Sequence, residues 1–228
     1  MTDRRTFLSA SGALALSACA TTPLGSSEAT QVPAPRWSIG ESWTYRRIDA
    51  YNGLDRGVIT RAVESVTEKG IRVVTRQANG AVSEDAWFES PGIQISGTLS
   101  EDGYVVGTFA PRLRVYDFPL ASGKRWEQQL TRTDSNQSRY YLTASTRVEG
   151  WEEVLLGGRA HRAIIVRRTL RLGPTPAHKG DLHREELESY VPELRAVARA
   201  RMFEWEVFLD HVAPGYRLNV QLESFTLA

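Results

Sequence analysis

The chain has 228 residues, 41% of them hydrophobic, and its 28 basic and 27 acidic side chains give a formal net charge of +1. This is enough apolar material for one large domain or two small ones, and one domain is the simpler interpretation. The arginines alternate with acidic residues instead of forming the clustered basic patch that nucleic-acid binding requires, so we expect no nucleic-acid partner.

The first 18 residues have the three parts of an export signal. Arg4 and Arg5 form a basic start, a short apolar run covers residues 7–18, and small residues precede position 19. The run is too short for a bilayer, which needs about 17 to 25 apolar residues. We therefore predict a cleaved signal peptide and no permanent transmembrane helix.

Residues 3–8, DRRTFL, resemble the twin-arginine export signal, in which two arginines precede a Phe and a Leu, here Phe7 and Leu8. The segment departs from that pattern at both ends, because Asp3 stands where Ser or Thr is usual and Ser9 where Lys is common. Twin-arginine export is the prediction, and general secretion with two chance arginines is the alternative.

Residues 16–19, LSAC, resemble the lipobox of bacterial lipoproteins, and Cys19 is the only cysteine of the chain. The resemblance implies that the Cys19 thiol carries diacylglycerol, that the chain is cut before it, and that the new amino terminus receives an acyl group such as palmitate. Each buried methylene contributes about 0.8 kcal/mol, so two or three acyl chains make anchoring to a membrane permanent. A buried structural cysteine is the alternative. In the lipoproteins that this segment resembles, Asp after the cysteine favours retention in the inner membrane. Ala20 stands at that position here, which implies anchoring to the outer membrane, facing the periplasm.

We predict three parts: a signal peptide (1–18), a lipidated cysteine with a disordered tether (19–36), and a single β domain (37–228). The tether is rich in Ala, Thr, Ser and Pro and has little to bury. Loss of the signal removes two arginines and one aspartate, which lowers the formal net charge from +1 to 0. Charge therefore points to no particular envelope protein partner.

From Trp37 onward, apolar residues alternate with polar ones and turn residues recur every eight to twelve positions or so, which is typical of a half-buried antiparallel sheet. Predicted strands cover residues 42–50, 57–68, 71–78, 81–89, 126–132, 140–151, 159–172, 182–191, 194–207 and 216–227, with two short strands between 90 and 103. The predicted fold is all-β and mainly antiparallel, either a strongly curved sheet or a half-open barrel, with little helix.

Three connections carry their own sequence patterns. Asn79 and Gly80 both accept positive φ and predict a tight hairpin. Residues 111–124 are predicted as a long connection. Residues 173–181, rich in Gly and Pro, are predicted as a flexible loop, which is either a plain hairpin tip or the border of a ligand site.

The sequence contains no G-x-S-x-G elbow, no dinucleotide or phosphate loop, no H-E-x-x-H and no calcium-loop pattern. A hydrolase remains an alternative, because a Ser, a His and an acid brought together from distant segments leave no local pattern. His178, Asp181, His183 and Glu185 form the one candidate cluster of metal ligands, and a solvated charged face explains it better. We expect no metal and no cofactor.

The chain has six tryptophans, a large number for one domain, at positions 37, 43, 87, 126, 151 and 205. On a curved sheet such rings can line an apolar cavity, and filling of the core is the alternative. The candidate ligand-lining residues are Trp43, Tyr45, Trp87, Trp126 and Trp151.

Four segments resemble a family of uncharacterised proteobacterial periplasmic proteins and lipoproteins. They are GESWTY (40–45), YDFPL (116–120) with Gly123, Lys124 and Trp126, VEGWE (148–152) and YVPEL (190–194). That family in turn resembles the half-open barrels of lipoprotein carriers, whose concave face holds acyl chains. The resemblance implies a non-enzymatic envelope lipoprotein that binds a lipid or other hydrophobic ligand, and it brings no catalytic residues. A protein-interaction or assembly module of the envelope is the alternative.

Cys19→Ser should move the protein from the membrane fraction to the soluble periplasmic fraction, because the thiol that carries the lipid is gone. Cell fractionation with immunoblotting measures this. A Cys19→Ser variant that stays in the membrane as tightly as the parent would show that the anchor lies elsewhere.

Overall fold

The structure of the protein is a computed structural model that describes residues 31–99, 105–174, 180–209 and 211–228. The predicted signal and Cys19 lie outside these ranges. Within them the chain forms β1 (Ser42–Asp49), β2 (Asp55–Thr67), β3 (Gly70–Gln77), β4 (Val82–Ser90), β5 (Ile93–Gly97), β6 (Gly107–Arg114), β7 (Arg125–Asp134), β8 (Arg139–Leu156), β9 (Arg159–Pro174), β10 (Asp181–Val191), β11 (Ala196–Phe208) and β12 (His211–Thr226). A 3₁₀ turn at Pro192–Leu194 separates β10 from β11.

These strands form one closed antiparallel barrel. Each strand pairs with the next along the chain, and β1 pairs with β12 from Ser42↔Thr226 to Asp49↔Leu218. The prediction of an all-β, mainly antiparallel fold with little helix is confirmed, and the strong curvature of the sheet continues to full closure. Closure gives every strand two neighbours and so removes the exposed edges that an open sheet would present. Among the described residues no helix is long and apolar enough to cross a membrane.

Several predicted boundaries are wrong by a few residues, and two of them lie at irregular positions. β6 continues to Arg114, into the segment predicted as a connection, because Pro111 lies beyond the residues that pair with β7 and its missing N–H breaks no ladder bond there. β8 continues to Leu156, since a bulge between Val148 and Gly150 shifts the register without ending the strand. The predicted Asn79-Gly80 hairpin is confirmed.

The inward side chains of the barrel are mostly buried and its outer face is charged, as period-two alternation requires. On β12, Leu218 and Leu222 are buried while the residues between them are mostly exposed. On the outer face, Arg72 pairs with Asp85 at 2.6 Å, and Arg76 pairs with Glu64 at 2.6 Å.

The two ends of the barrel differ. We call the end where the chain enters β1 the proximal end, and the end with the β1–β2 and β11–β12 hairpins the distal end. At the proximal end, Val32 forms a β bridge with Leu120 through two hydrogen bonds of 2.8 Å, and Val32 is only 3% exposed. The last part of the predicted tether, residues 31–36, therefore includes a residue packed on the barrel. A single buried valine in a Pro-rich segment leaves no periodic pattern that would have revealed this.

Trp43→Ala should lower the free energy of unfolding by about 3 to 5 kcal/mol, because it empties a fully buried site and removes the hydrogen bond that the indole donates to the Leu194 carbonyl at 2.9 Å. Trp87→Ala, on the half-buried outer side of β4, is the matched control and should cost clearly less. Urea unfolding measures both. Equal losses would contradict the placement of Trp43 in the core.

Candidate functional site

A cavity of about 270 Å³ lies inside the barrel, and its wall includes residues of β1–β6 and β9–β12. Ligand pockets in proteins commonly have volumes of about 300 to 1000 Å³, so this cavity suits a small molecule or a short chain.

Small side chains on β11 leave the space. Ala196, Ala198 and Ala200 point inward, whereas the alternating Arg199 and Arg201 are exposed on the outer face. Because an alanine extends only one carbon from the backbone, inward alanines on β11 leave room inside the barrel. Ala196 and Ala200 both line the cavity.

An aromatic cluster forms the proximal part of the cavity wall. Trp37, which precedes β1, packs against Trp43 with ring centroids 6.1 Å apart and meets Phe88 edge-on at 5.3 Å. Trp43 and Tyr45, two of the predicted lining residues, both lie on the cavity wall. Trp37 and Phe88 were not among the predicted lining residues, although the count of six tryptophans pointed to Trp37.

The other three candidate lining residues lie elsewhere. Trp87 faces away from the interior on β4. Trp126 is buried in a separate apolar cluster and donates a hydrogen bond to the Arg114 carbonyl at 3.0 Å. Trp151 is half-buried beneath the Arg162 guanidinium, which is 4.1 Å from the ring centroid. Position along a strand, not ring size, decides which tryptophans reach the cavity.

Buried charges form a second part of the cavity wall. Glu186 accepts a hydrogen bond from Arg168 and forms an ion pair with the Arg184 Nε at 2.7 Å. Arg168 also reaches Glu188 at 3.3 Å, and the Tyr116 hydroxyl donates to the same Glu188 carboxylate at 2.7 Å. A solvated charged face was predicted for the segment that holds His183 and Glu185, but Arg184 and Glu186, which alternate with them, are buried and form an internal network.

The electrostatics of this network follow from burial and pairing. Burial opposes ionisation of Glu186, but the attraction of Arg184 and Arg168 outweighs it and lowers the pKa of Glu186. Burial, followed by the nearby Glu188 carboxylate, raises the pKa of Tyr116 well above its usual range. Glu186 is thus ionised and Tyr116 is a neutral hydrogen-bond donor at neutral pH.

The candidate metal cluster is not brought together as one site within the described ranges. His178 lies outside them, Asp181 pairs with Arg171 at 2.5 Å, and His183 stacks on Trp205 at 5.3 Å between ring centroids. No group of three or more His, Cys, Asp or Glu that could hold a metal is found in the described part of the chain. Of the histidines described, none lines the cavity.

Two solved structures share the barrel fold. A candidate lipoprotein from Parabacteroides distasonis aligns with 86% of this chain and 100% of its own, at 15% identity and a TM-score of 0.53. A candidate exported protein with a YmcC-like fold from Bacteroides fragilis aligns with 86% of this chain and 99% of its own, at 14% identity and a TM-score of 0.51. At these identities the likeness shows the fold alone. No family model and no curated protein matches the chain.

Glu186→Gln should lower the free energy of unfolding by about 3 to 5 kcal/mol at pH 7, because it leaves two buried guanidinium groups short of a negative charge. Since the pKa of Glu186 is lowered on folding, its contribution is present above the unfolded value of about 4.3 and is lost as the pH falls through the folded value. The difference between parent and variant should therefore shrink in acid.

Urea unfolding between about pH 7 and pH 3 measures this dependence. Glu185→Gln, at the adjacent exposed position on β10, is the control and should change stability little at any pH. A Glu186→Gln chain as stable as the parent at pH 7 would mean that the internal network does not need this charge.

Proposed function

We propose that the protein is a non-enzymatic lipoprotein of the bacterial envelope that binds a small hydrophobic or amphiphilic molecule inside its barrel. The observation that carries the proposal is the internal cavity. The aromatic cluster forms its wall at the proximal end, and alanines of β11 line one side. Large flat rings supply apolar contact area at little cost in side-chain entropy, which suits them to hold such a ligand.

The sequence supports the envelope location through Arg4 and Arg5 of the twin-arginine-like signal and through the Cys19 lipobox. The descriptions of the two similar structures, a candidate lipoprotein and a candidate exported protein, agree with this assignment. The chain from Cys19 to Gln31 can span at most about 40 Å. The proximal end of the barrel is therefore held near the surface of the membrane, which we assign to the outer membrane from Ala20.

Ala200→Leu should abolish binding of the neutral fluorescent probe N-phenyl-1-naphthylamine, because the larger side chain occupies the cavity. The probe's fluorescence should rise and saturate with the full-length Cys19→Ser chain, purified without detergent. Ala160→Leu, at an exposed position of β9, adds the same side chain outside the barrel and should leave binding unchanged.

The thermal unfolding midpoint of Ala200→Leu should not fall, since each added methylene that fills space contributes about 0.8 kcal/mol. Saturable probe binding that is equally strong in both variants would place the site outside the cavity. A parent chain that binds no probe would remove the proposed ligand-binding role.

A second candidate function, an interaction module of the envelope, is favoured by exposed apolar residues at the distal end. Leu209 is 86% exposed, and Leu54, Val212, Tyr51 and Phe208 are 63%, 58%, 51% and 48% exposed. Clustered exposed apolar side chains commonly mark surfaces that contact another protein.

Leu209→Ser should weaken crosslinking of the protein to an envelope partner if the distal end is an interaction surface. Leu155→Ser is the control, because Leu155 is 68% exposed but lies at the opposite end of the barrel. Crosslinking in intact cells, followed by mass spectrometry, compares them. Identical crosslinked species in both variants would exclude the distal surface.

A further inference from the structure

One cation on the cavity wall, Arg61 of β2, has no negative partner among the residues described. Its guanidinium lies 5.9 Å from the Trp37 ring centroid and 5.5 Å from that of Phe88. Within the same residues, no carboxylate lies within ion-pair distance of it and no acceptor is hydrogen-bonded to it. Arg168, by contrast, has two carboxylates. Arg61 is thus held by ring faces, which attract a cation but do not neutralise its charge.

The Tyr190 hydroxyl is a second polar group on the cavity wall that lacks a partner among the described residues. Tyr190 lines the cavity, its side chain is only 3% exposed, and its hydroxyl has no hydrogen-bond partner within the described ranges. The buried Trp37 indole N–H, at the same aromatic wall, also has no partner there. Buried polar groups are nearly always paired, so each exception needs an explanation.

Tyr45 lies near both Arg61 and Tyr190. In the β1–β2 ladder Trp43 is opposite Arg61 and Tyr45 is two residues further on, so Tyr45 and Arg61 are diagonal neighbours on the inward face. Burial raises the pKa of Tyr45, and the nearby Arg61 charge opposes that rise. Burial raises the pKa of Tyr190 too, and Tyr45 is one of the groups that add to it. Both phenols therefore stay protonated and can donate hydrogen bonds.

Five arginines and three glutamates line the described part of the cavity wall. Arg168 and Arg184 are compensated by Glu186 and Glu188, and Arg195 pairs with Glu41. Arg47 donates a hydrogen bond to the Arg56 carbonyl at 3.1 Å, and Glu84 accepts one from the Thr75 hydroxyl at 3.1 Å. Arg61 is left without a carboxylate at ion-pair distance and without a hydrogen-bonded acceptor among the same residues. One uncompensated guanidinium calls for one negative charge, and its planar fork matches the two oxygens of a carboxylate.

We propose that the ligand is an amphiphile with a carboxylate head, bound by Arg61 and the Tyr190 hydroxyl, with its apolar chain along Ala200 and Val220. This deepens the proposed function, on which it rests, by naming the class of ligand. The head lies at the aromatic wall, where Trp37 supplies a further donor, and the chain follows the space left by the alanines of β11.

Displacement of N-phenyl-1-naphthylamine by octanoate and by 1-octanol tests this class directly. The protein is the full-length Cys19→Ser chain at pH 7, without detergent. Octanoate should displace the probe at a concentration at least about tenfold lower than 1-octanol, as a charge-assisted contact worth about 1.4 kcal/mol or more predicts. Octanol is the more hydrophobic of the two, so hydrophobic partition alone would give the opposite order.

Arg61→Gln should raise the concentration of octanoate needed to displace the probe to that of octanol. The concentration of octanol needed should not change. Tyr190→Phe should weaken the binding of octanoate several-fold without affecting the binding of octanol. It should not lower the unfolding midpoint of the free protein, because the hydroxyl it removes has no partner among the described residues. Arg76→Gln removes an outer-face arginine paired with Glu64 and should change the binding of neither ligand. If Arg61→Gln does not fold, Tyr190→Phe decides.

Three results would overturn the inference. If the probe binds and octanol displaces it as well as octanoate does, the carboxylate inference fails while the proposed function stands. The same holds if Tyr190→Phe weakens both ligands equally, since that pattern reports only a change of shape. If the parent chain binds no probe, both the proposed function and this inference fail.

Discussion

The pairing of β1 with β12 is the constraint on which the rest of the structure depends. Once these strands join, the number of strands and their tilt fix the width of the barrel, and inward side chains must fill a volume that the backbone has set. Trp43 and Tyr45 on β1 lie on one side of the junction, and Leu222 on β12 lies on the other. Where the inward side chain is only an alanine, as along β11, the fixed width becomes a cavity.

The interior is polar as well as apolar, and this limits what it can bind. Taking a guanidinium or carboxylate out of water costs several kcal/mol unless a partner compensates it. Glu186 pairs with Arg184 and Arg168, and Glu188 supplies the second negative charge, so the two arginines are compensated inside the barrel. Apolar contacts then remain at the aromatic wall and along β11. The cavity therefore combines a nonpolar side with a cation-bearing one, as an amphiphile requires and a purely hydrocarbon ligand does not.

The sequence predicted the parts of this fold that are encoded locally. Alternation along β12 and the Asn79-Gly80 turn each depend on neighbouring residues, and both were predictable. Closure was not, because Ser42 and Thr226 meet from opposite ends of the chain and neither carries a pattern that names the other. The sequence predicted a strongly curved sheet or a half-open barrel, and it did not predict the pairing that closes the barrel.

The candidate site was predictable only in part, for a related reason. Trp87 and Phe88 are adjacent, and only the phase of β4 decides which of them faces the cavity. Arg184 and Glu185 look equally solvated in the sequence, yet one is buried and the other exposed. Arg61 gave no pattern at all, since a cation held by two ring faces leaves no trace in residue spacing.

Native mass spectrometry of the Cys19→Ser chain, exported by its own host and purified without detergent, tests the central claim most directly. We expect one low-mass molecule bound per chain, lost when the chain is unfolded and recovered as a compound with a single carboxylate. A chain that carries no bound molecule under the gentlest ionisation, and that takes up none when an extract of envelope lipids is added, would contradict it.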